Sequence, residues 1–193
     1  MNGEAGRTGA VSPSARRRSM LSLAAAAMCL LARAAPAAGD DVPFQVVGRN
    51  DYRNFVANWD DSHAVFMALI RTPSEYAAVF HPAPVAANTK PFAPAPELFD
   101  DQMILVVSRV VGAPADGEKI LAVRGLESDG GTHTLRYDFT PPAAPATFSV
   151  KEVLQLRIPR REVERVRVLE NDVPVGELRP AEGVWSIPPP PKR

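Results

Sequence analysis

The chain has 193 residues, with 22 basic and 22 acidic side chains, three histidines and a single cysteine. That length suits one domain with appendages, and a composition in the ordinary globular range excludes wholesale disorder. Five of the basic residues but only Glu4 among the acids precede Ala38, which leaves 17 cations against 21 anions beyond it, a net −4. Neither nucleic-acid binding through clustered phosphate contacts nor a polybasic membrane anchor is expected from that balance.

The first segment reads as an address. Arg16, Arg17 and Arg18 precede Ser19 and an apolar run over residues 20–31. As a helix this run is about 18 Å long at ~1.5 Å per residue, short of a bilayer core of roughly 30 Å. Ala35-Pro36-Ala37 then fits a small-x-small processing pattern. Charged region, short apolar region and small-residue exit in that order predict a cleavable export signal over residues 1–37, cut after Ala37. A periplasmic or secreted protein with no stable membrane insertion after cleavage is the expectation. Arg17-Arg18-Ser19-Met20-Leu21 resembles a twin-arginine signal, and three arginines equally make a strong general export signal, so both routes stay open. Cys29 lies inside the apolar run, so the processed chain has no thiol for disulfides, nucleophilic catalysis or cysteine metal sites.

Residues 44–47 suggest an edge strand, and residues 64–70 form a compact apolar run that reads as a buried one. Thr72-Pro73-Ser74-Glu75 has capping-box spacing with proline at the first helical position, predicting a short helix to about Phe80 that buries Tyr76, Val79 and Phe80. Pro82, Pro84, Pro91, Pro94 and Pro96 mark irregular chain, because proline cannot donate to a strand ladder. Residues 102–111 contain Met103-Ile104-Leu105-Val106-Val107, a central strand covered on both faces. Residues 119–126 and 132–139 flank Ser128-Asp129-Gly130-Gly131, a hairpin signal. In its second strand Leu135, Tyr137 and Phe139 share one face, opposite Thr134, Arg136 and Asp138. Residues 152–158 alternate again, with Leu154, Leu156 and Ile158 inward. Residues 163–170 and 173–178 flank the turn Asn171-Asp172. The expected fold is mainly β (a β-rich α+β domain): an antiparallel sheet or sandwich of about seven short strands with one short helix. It spans residues 38–180, followed by a loose proline-rich tail over residues 181–193.

Chemistry is sparse in this pattern. Asp60, Asp61 and His63 can be drawn as an acid/base or metal cluster, but their local spacing fits a solvated turn better. His81, ahead of Pro82, suits the end of the helix, and His133 is expected exposed on the polar face of its strand. Asp100 and Asp101 flank an apolar strand, where acidic residues keep edges soluble. No Gly-x-Ser-x-Gly elbow or phosphate-cradling glycine loop is present. No cofactor and no metal site is expected. The dense basic stretch holds Arg157, Arg160, Arg161, Arg165 and Arg167. If Arg157, Arg165 and Arg167 share an outward face they offer an acidic partner a docking surface. Glu152, Glu162, Glu164 and Glu170 are interleaved, and cross-strand ion pairing is the simpler account.

From Thr72 onward the order of features resembles the C-terminal domain of PrcB-like proteins, stabilising accessory subunits of a protease complex. The likeness is carried by Thr72-Pro73-Ser74-Glu75-Tyr76 and by the stretch from Leu98-Phe99-Asp100-Asp101 through Met103-Ile104-Leu105-Val106-Val107. It continues in Leu135-Arg136-Tyr137-Asp138-Phe139-Thr140-Pro141 and Leu154-Gln155-Leu156-Arg157-Ile158-Pro159. The chain departs from that family where a Gly-Gly-aromatic element usually follows the central strand, since Val110-Val111-Gly112-Ala113-Pro114 stands there. The resemblance implies a β-rich, exported, non-enzymatic accessory protein. The expected function is therefore a small envelope domain that presents a sheet face or edge to a protein partner. Two alternatives remain: a small-ligand binder with a pocket lined by Trp59, Phe66, Tyr76, Phe80 and Tyr137, and a hydrolase using Asp60, Asp61 or His63.

Overall fold

The computed structural model describes residues 39–47, 54–56, 59, 62–82, 93–115, 117–144 and 147–186, the side chains of 54, 55, 81 and 82 excepted. The expected export segment, with Arg16, Arg17, Arg18 and Ala37, lies outside them, as do Asp60, Asp61, the side chain of His81 and the tail beyond Ser186. In chain order the strands are β1 Asp40–Asp41, β2 Gln45–Val47, β3 Asn54–Val56, β4 Val65–Ile70, β5 Phe80–Pro82, β6 Gln102–Gly112, β7 Leu121–Asp129, β8 Thr132–Phe139, β9 Ser149–Pro159, β10 Arg165–Glu170, β11 Val173–Leu178 and β12 Trp185–Ser186. Among the described residues two helices interrupt them, α1 Pro73–Val79 and α2 Leu98–Asp101.

The strands build a sandwich. One five-stranded sheet, here the outer sheet, runs β1-β7-β8-β10-β11; the other, the inner sheet, runs β12-β4-β6-β9-β2; β3 and β5 pair separately. Alternation decides what each face meets. Met67 and Leu69 of β4, Met103, Leu105 and Val107 of β6, and Leu154, Leu156 and Ile158 of β9 point at Leu126, Leu135, Tyr137, Val166 and Val168 of the outer sheet. The remaining residues of the inner strands face the other way. Phe66, Ala68, Ile70, Ile104 and Val106 pack under Tyr76, Val79, Phe80 and Phe99, contributed by α1, β5 and α2. The inner sheet is thus apolar on both faces, which explains the unbroken run from Met103 to Val107. At ~1.5–3 kcal/mol for each large apolar side chain removed from water, these two layers supply the main stabilising term.

Local chemistry sets the turns. Thr72 caps α1 by accepting from the Glu75 amide at 3.1 Å, with Pro73 in the first turn. Glu75 reaches back to Arg71, whose amide and guanidinium it binds, the latter at 2.7 Å. Gly130 and Gly131 have φ of +51° and +82° between β7 and β8, and Asn171 and Asp172 have φ of +49° and +66° between β10 and β11. Both pairs have the backbone sign that a two-residue turn needs to match strand twist. The Asn171 side chain also donates to the Phe139 carbonyl at 3.1 Å and accepts from its amide at 3.0 Å.

Three features differ from the sequence expectation. β10 runs parallel to β8, because the intervening β9 belongs to the inner sheet and returns the chain to the outer one in the same direction. Four very short strands, β1, β3, β5 and β12, join the pattern. Residues assigned to the loose tail instead hold the edge of β4: the Leu69 amide donates to the Val184 carbonyl at 3.0 Å, and Trp185 pairs with Ala68.

Residues 39–47 lace the two sheets together. β1 pairs with β7, the Val42 amide donates to the Leu126 carbonyl at 2.8 Å, and β2 then pairs with β9 of the inner sheet. A Cβ at Gly39 would sit 2.8 Å from the Ser128 carbonyl oxygen, so only glycine fits where the lace begins.

Candidate functional site

The arginine set splits between the two outsides of the sandwich. Val166 and Val168 point into the core from β10, so Arg165 and Arg167 project from the free face of the outer sheet. Leu156 and Ile158 point into the same core from β9 of the inner sheet, so Arg157 projects the opposite way. Arg157, Arg165 and Arg167 therefore do not form one docking face. Side chains alternate within each strand as expected, but the two strands belong to different sheets. Arg165 and Arg167 turn to Glu177 on β11, at 3.3 and 3.6 Å, and Arg179 joins them at 3.0 Å. The hydrogen bond from Arg179, then the charges of Arg165, Arg179 and Arg167, hold the Glu177 carboxyl below the usual range. Further along, Arg124 pairs with Asp138 at 3.2 Å and with Asp172, while Arg136 pairs with Glu127 at 3.5 Å and Asp172 at 3.4 Å. This face is a network of paired charges in which three arginines share the one carboxylate of Glu177. Cross-strand pairing occurs, with Glu177 taking Arg165 and Arg167, and of the interleaved glutamates Glu170 pairs with Arg109.

Arg160 serves the fold, donating through Nη1 to the carbonyls of Arg71, at 2.9 Å, and Phe99. Arg161 lines a shallow, open cavity of about 390 Å³ with Arg71, Glu162, Val163 and Glu164. Two cations and two carboxylates meet there, so the cavity has no net charge to select a ligand.

His133 is a correction. It shares strand parity with Leu135 and Tyr137 and is 1% exposed, so it points into the sandwich rather than to solvent. Ser128 Oγ lies 3.4 Å from its Nδ1, and Nε2 is buried with no hydrogen-bond partner among the described residues. Burial first, and then the charge of Arg161, lower its pKa. His63 is half-buried rather than solvated, and its carbonyl accepts from Trp59 Nε1 at 2.8 Å. Of the aromatic residues proposed for a ligand pocket, four share one packed layer and Tyr137 is apart from them. Tyr137 lies between the sheets, whereas Trp59, Phe66, Tyr76 and Phe80 lie beyond the inner sheet. Among the described residues no group of three or more His, Cys, Asp or Glu is arranged to hold a metal ion. No helix among them is long and apolar enough to cross a membrane.

The sheet edges differ from one another in a way that bears on recognition. An outermost strand presents unpaired N–H and C=O groups to any passing chain, and proteins blunt such edges with charge, proline, bulges or shortness. β1 consists of two aspartates. β11 carries Pro174, Glu177 and a register shift opposite Val168 and Leu169. β12 has only two residues. β2, Gln45-Val46-Val47, is also short at three residues but carries no charge or proline, and Val46 is 49% exposed, with Phe44 beside it at 38%. Residues 44–47 were recognisable as an edge strand. The sequence signal for an open edge is the absence of any charge or proline across Phe44-Gln45-Val46-Val47.

No family model matches the chain, and no curated protein or solved structure matches it.

Proposed function

We propose that this protein is an exported accessory domain of the cell envelope that works by offering a sheet edge to a protein partner. The observation that carries this reading is β2: an outermost strand of the inner sheet, without charge or proline, with Val46 and Phe44 exposed beside it. Exposed apolar side chains beside unpaired backbone are costly to leave bare in a secreted domain, and strand addition uses both at once. The expected export signal over residues 1–37 supports the location, and the resemblance to PrcB-like accessory subunits supports a non-catalytic role.

The test is affinity capture from the native envelope fraction, using the processed protein and its Val46→Lys variant as baits. One partner at defined stoichiometry, retained by the native bait and lost by the variant, is the expected result. A partner indifferent to Val46→Lys, or none at physiological salt, overturns the reading.

A further inference from the structure

We infer that the β1–β2 side of the sandwich takes an extended, cationic segment of a partner, with alternating apolar residues, added to the inner sheet as a further strand on β2. This rests on the reading of β2 as an interaction edge and names the chemistry of what sits there.

Three properties of the edge specify the occupant. Alternate residues of a strand turn their backbone groups to opposite sides, and β2 is hydrogen-bonded to β9 on one side alone among the described residues, in the register Gln45–Arg157, Val46–Leu156 and Val47–Gln155. Its other side therefore asks for an extended backbone, which a helix cannot supply. Val46 and Phe44 give that backbone apolar surface to cover, which selects apolar side chains at every second position of the incoming strand.

Charge supplies the third property. β1 lies outermost in the outer sheet and β2 outermost in the inner one, three residues of chain apart, so both border the same side of the sandwich. Asp40 and Asp41 are exposed there and make no ion pair among the described residues. Val42 turns into the core, so Asp40 shares its side of β1, and a strand arriving on β2 brings lysine or arginine to that carboxylate first, with Asp41 beside it adding to the field. The same carboxylates argue against a second copy of this chain. Edge-to-edge pairing about a two-fold axis at β2 would bring both β1 strands, and their aspartates, toward each other. Like charges so placed are repulsive, and the edge is guarded against itself while remaining open to a cationic strand.

The test uses the processed full chain and three labelled synthetic peptides, read by fluorescence anisotropy. The first alternates Val and Thr and ends in Lys on both sides. The second has Glu in place of Lys. The third is the lysine peptide with N-methylated backbone amides, which cannot complete a strand ladder. The expected result is binding of the lysine peptide alone, lost on Val46→Lys. Joint Asp40→Asn and Asp41→Asn substitution should weaken it about tenfold, with a shallower salt dependence. Lack of binding by the lysine peptide overturns the proposal, as does equal binding of the glutamate or N-methylated peptide. So does a dimer in sedimentation that Val46→Lys dissociates, which would make a second copy the occupant. If Val46→Lys abolishes capture of the envelope partner while the lysine peptide fails to bind, the edge reading stands and the cationic strand falls. If capture ignores Val46→Lys, the edge reading itself falls.

Discussion

Arg109 of β6 and Glu170 of β10 meet at 3.1 Å across the two sheets of the sandwich. Glu170 also accepts from the Tyr137 hydroxyl at 2.6 Å, and the Arg109 guanidinium lies 4.1 Å from the centre of the Phe139 ring. Burial, then the hydrogen bond to Glu170, push the Tyr137 phenol far above its ordinary range, so it remains a donor at every physiological pH. The group ties strands of both sheets at one end of the core.

Removing the charge of Glu170 takes from a largely buried arginine the carboxylate that lies 3.1 Å from it. Glu170→Gln is expected to cost about 2 kcal/mol, and Tyr137→Phe about 1 kcal/mol, because losing one partner of a buried pair exposes the desolvation cost of the other. Urea unfolding measures both. A Glu170→Gln protein as stable as the native one would show that the cross-sheet pair contributes nothing.

His133 makes stability depend on pH in a definite direction. Its folded pKa lies below the unfolded value, so the unfolded chain takes up the proton first, and stability rises with pH between the two. The contribution is complete above about pH 6.5, the ordinary imidazole value, and is lost as pH falls from there through the lower folded value. His133→Asn removes the titrating group and should flatten the curve in that window. Parallel stability–pH curves for the two proteins would remove His133 from the account.

Val46 and Leu156 are register partners on β2 and β9, yet substitution at the two should have opposite consequences. Leu156 is fully buried between the sheets, and Leu156→Ala should cost about 2–5 kcal/mol through lost transfer energy and a residual cavity. Val46→Lys, at an exposed position, should stay within about 0.5 kcal/mol of the native value. Thermal or urea unfolding of both variants decides it. A large loss from Val46→Lys would mean that Val46 belongs to the core rather than to a recognition edge.

Gly39→Ala places a methyl group against the Ser128 carbonyl, where the ideal Cβ position is 2.8 Å from the oxygen. β1 must shift, at an expected cost of about 1–3 kcal/mol. Hydrogen exchange should show lost protection at the Val42 amide with the β6–β9 ladder unchanged. Full protection at Val42 in the variant would contradict the close packing of the lace.

Periodicity made the long elements legible. β4, β6, β8, β9, β10 and β11 all show apolar runs or period-two alternation, and the Thr72 to Glu75 signature located α1. His133 was legible too: counting by twos from Leu135 places it inward, and only its polar character argued otherwise. Four of the five shortest strands, β1, β3, β5 and β12, were not, since two or three residues carry no period and their pairing depends on tertiary neighbours. Nor was the separation of Arg157 from Arg165 and Arg167. Alternation says which way a side chain points within its sheet, but only the path of β9 between sheets says which sheet that is. The open edge was half legible: β2 could be seen, while its contrast with β1 and β11 needs the order of strands.

The lace also imposes a timetable on folding. Val42 needs Leu126, and Val46 needs Leu156, so a segment synthesised early cannot settle until β7 and β9 have been made. Contacts between positions so far apart in the chain form slowly, and unpaired strands are vulnerable to wrong partners while they wait. Closure of this side of the sandwich is then a late step, and a chaperone that shields residues 39–47 during that interval would raise the yield of native protein.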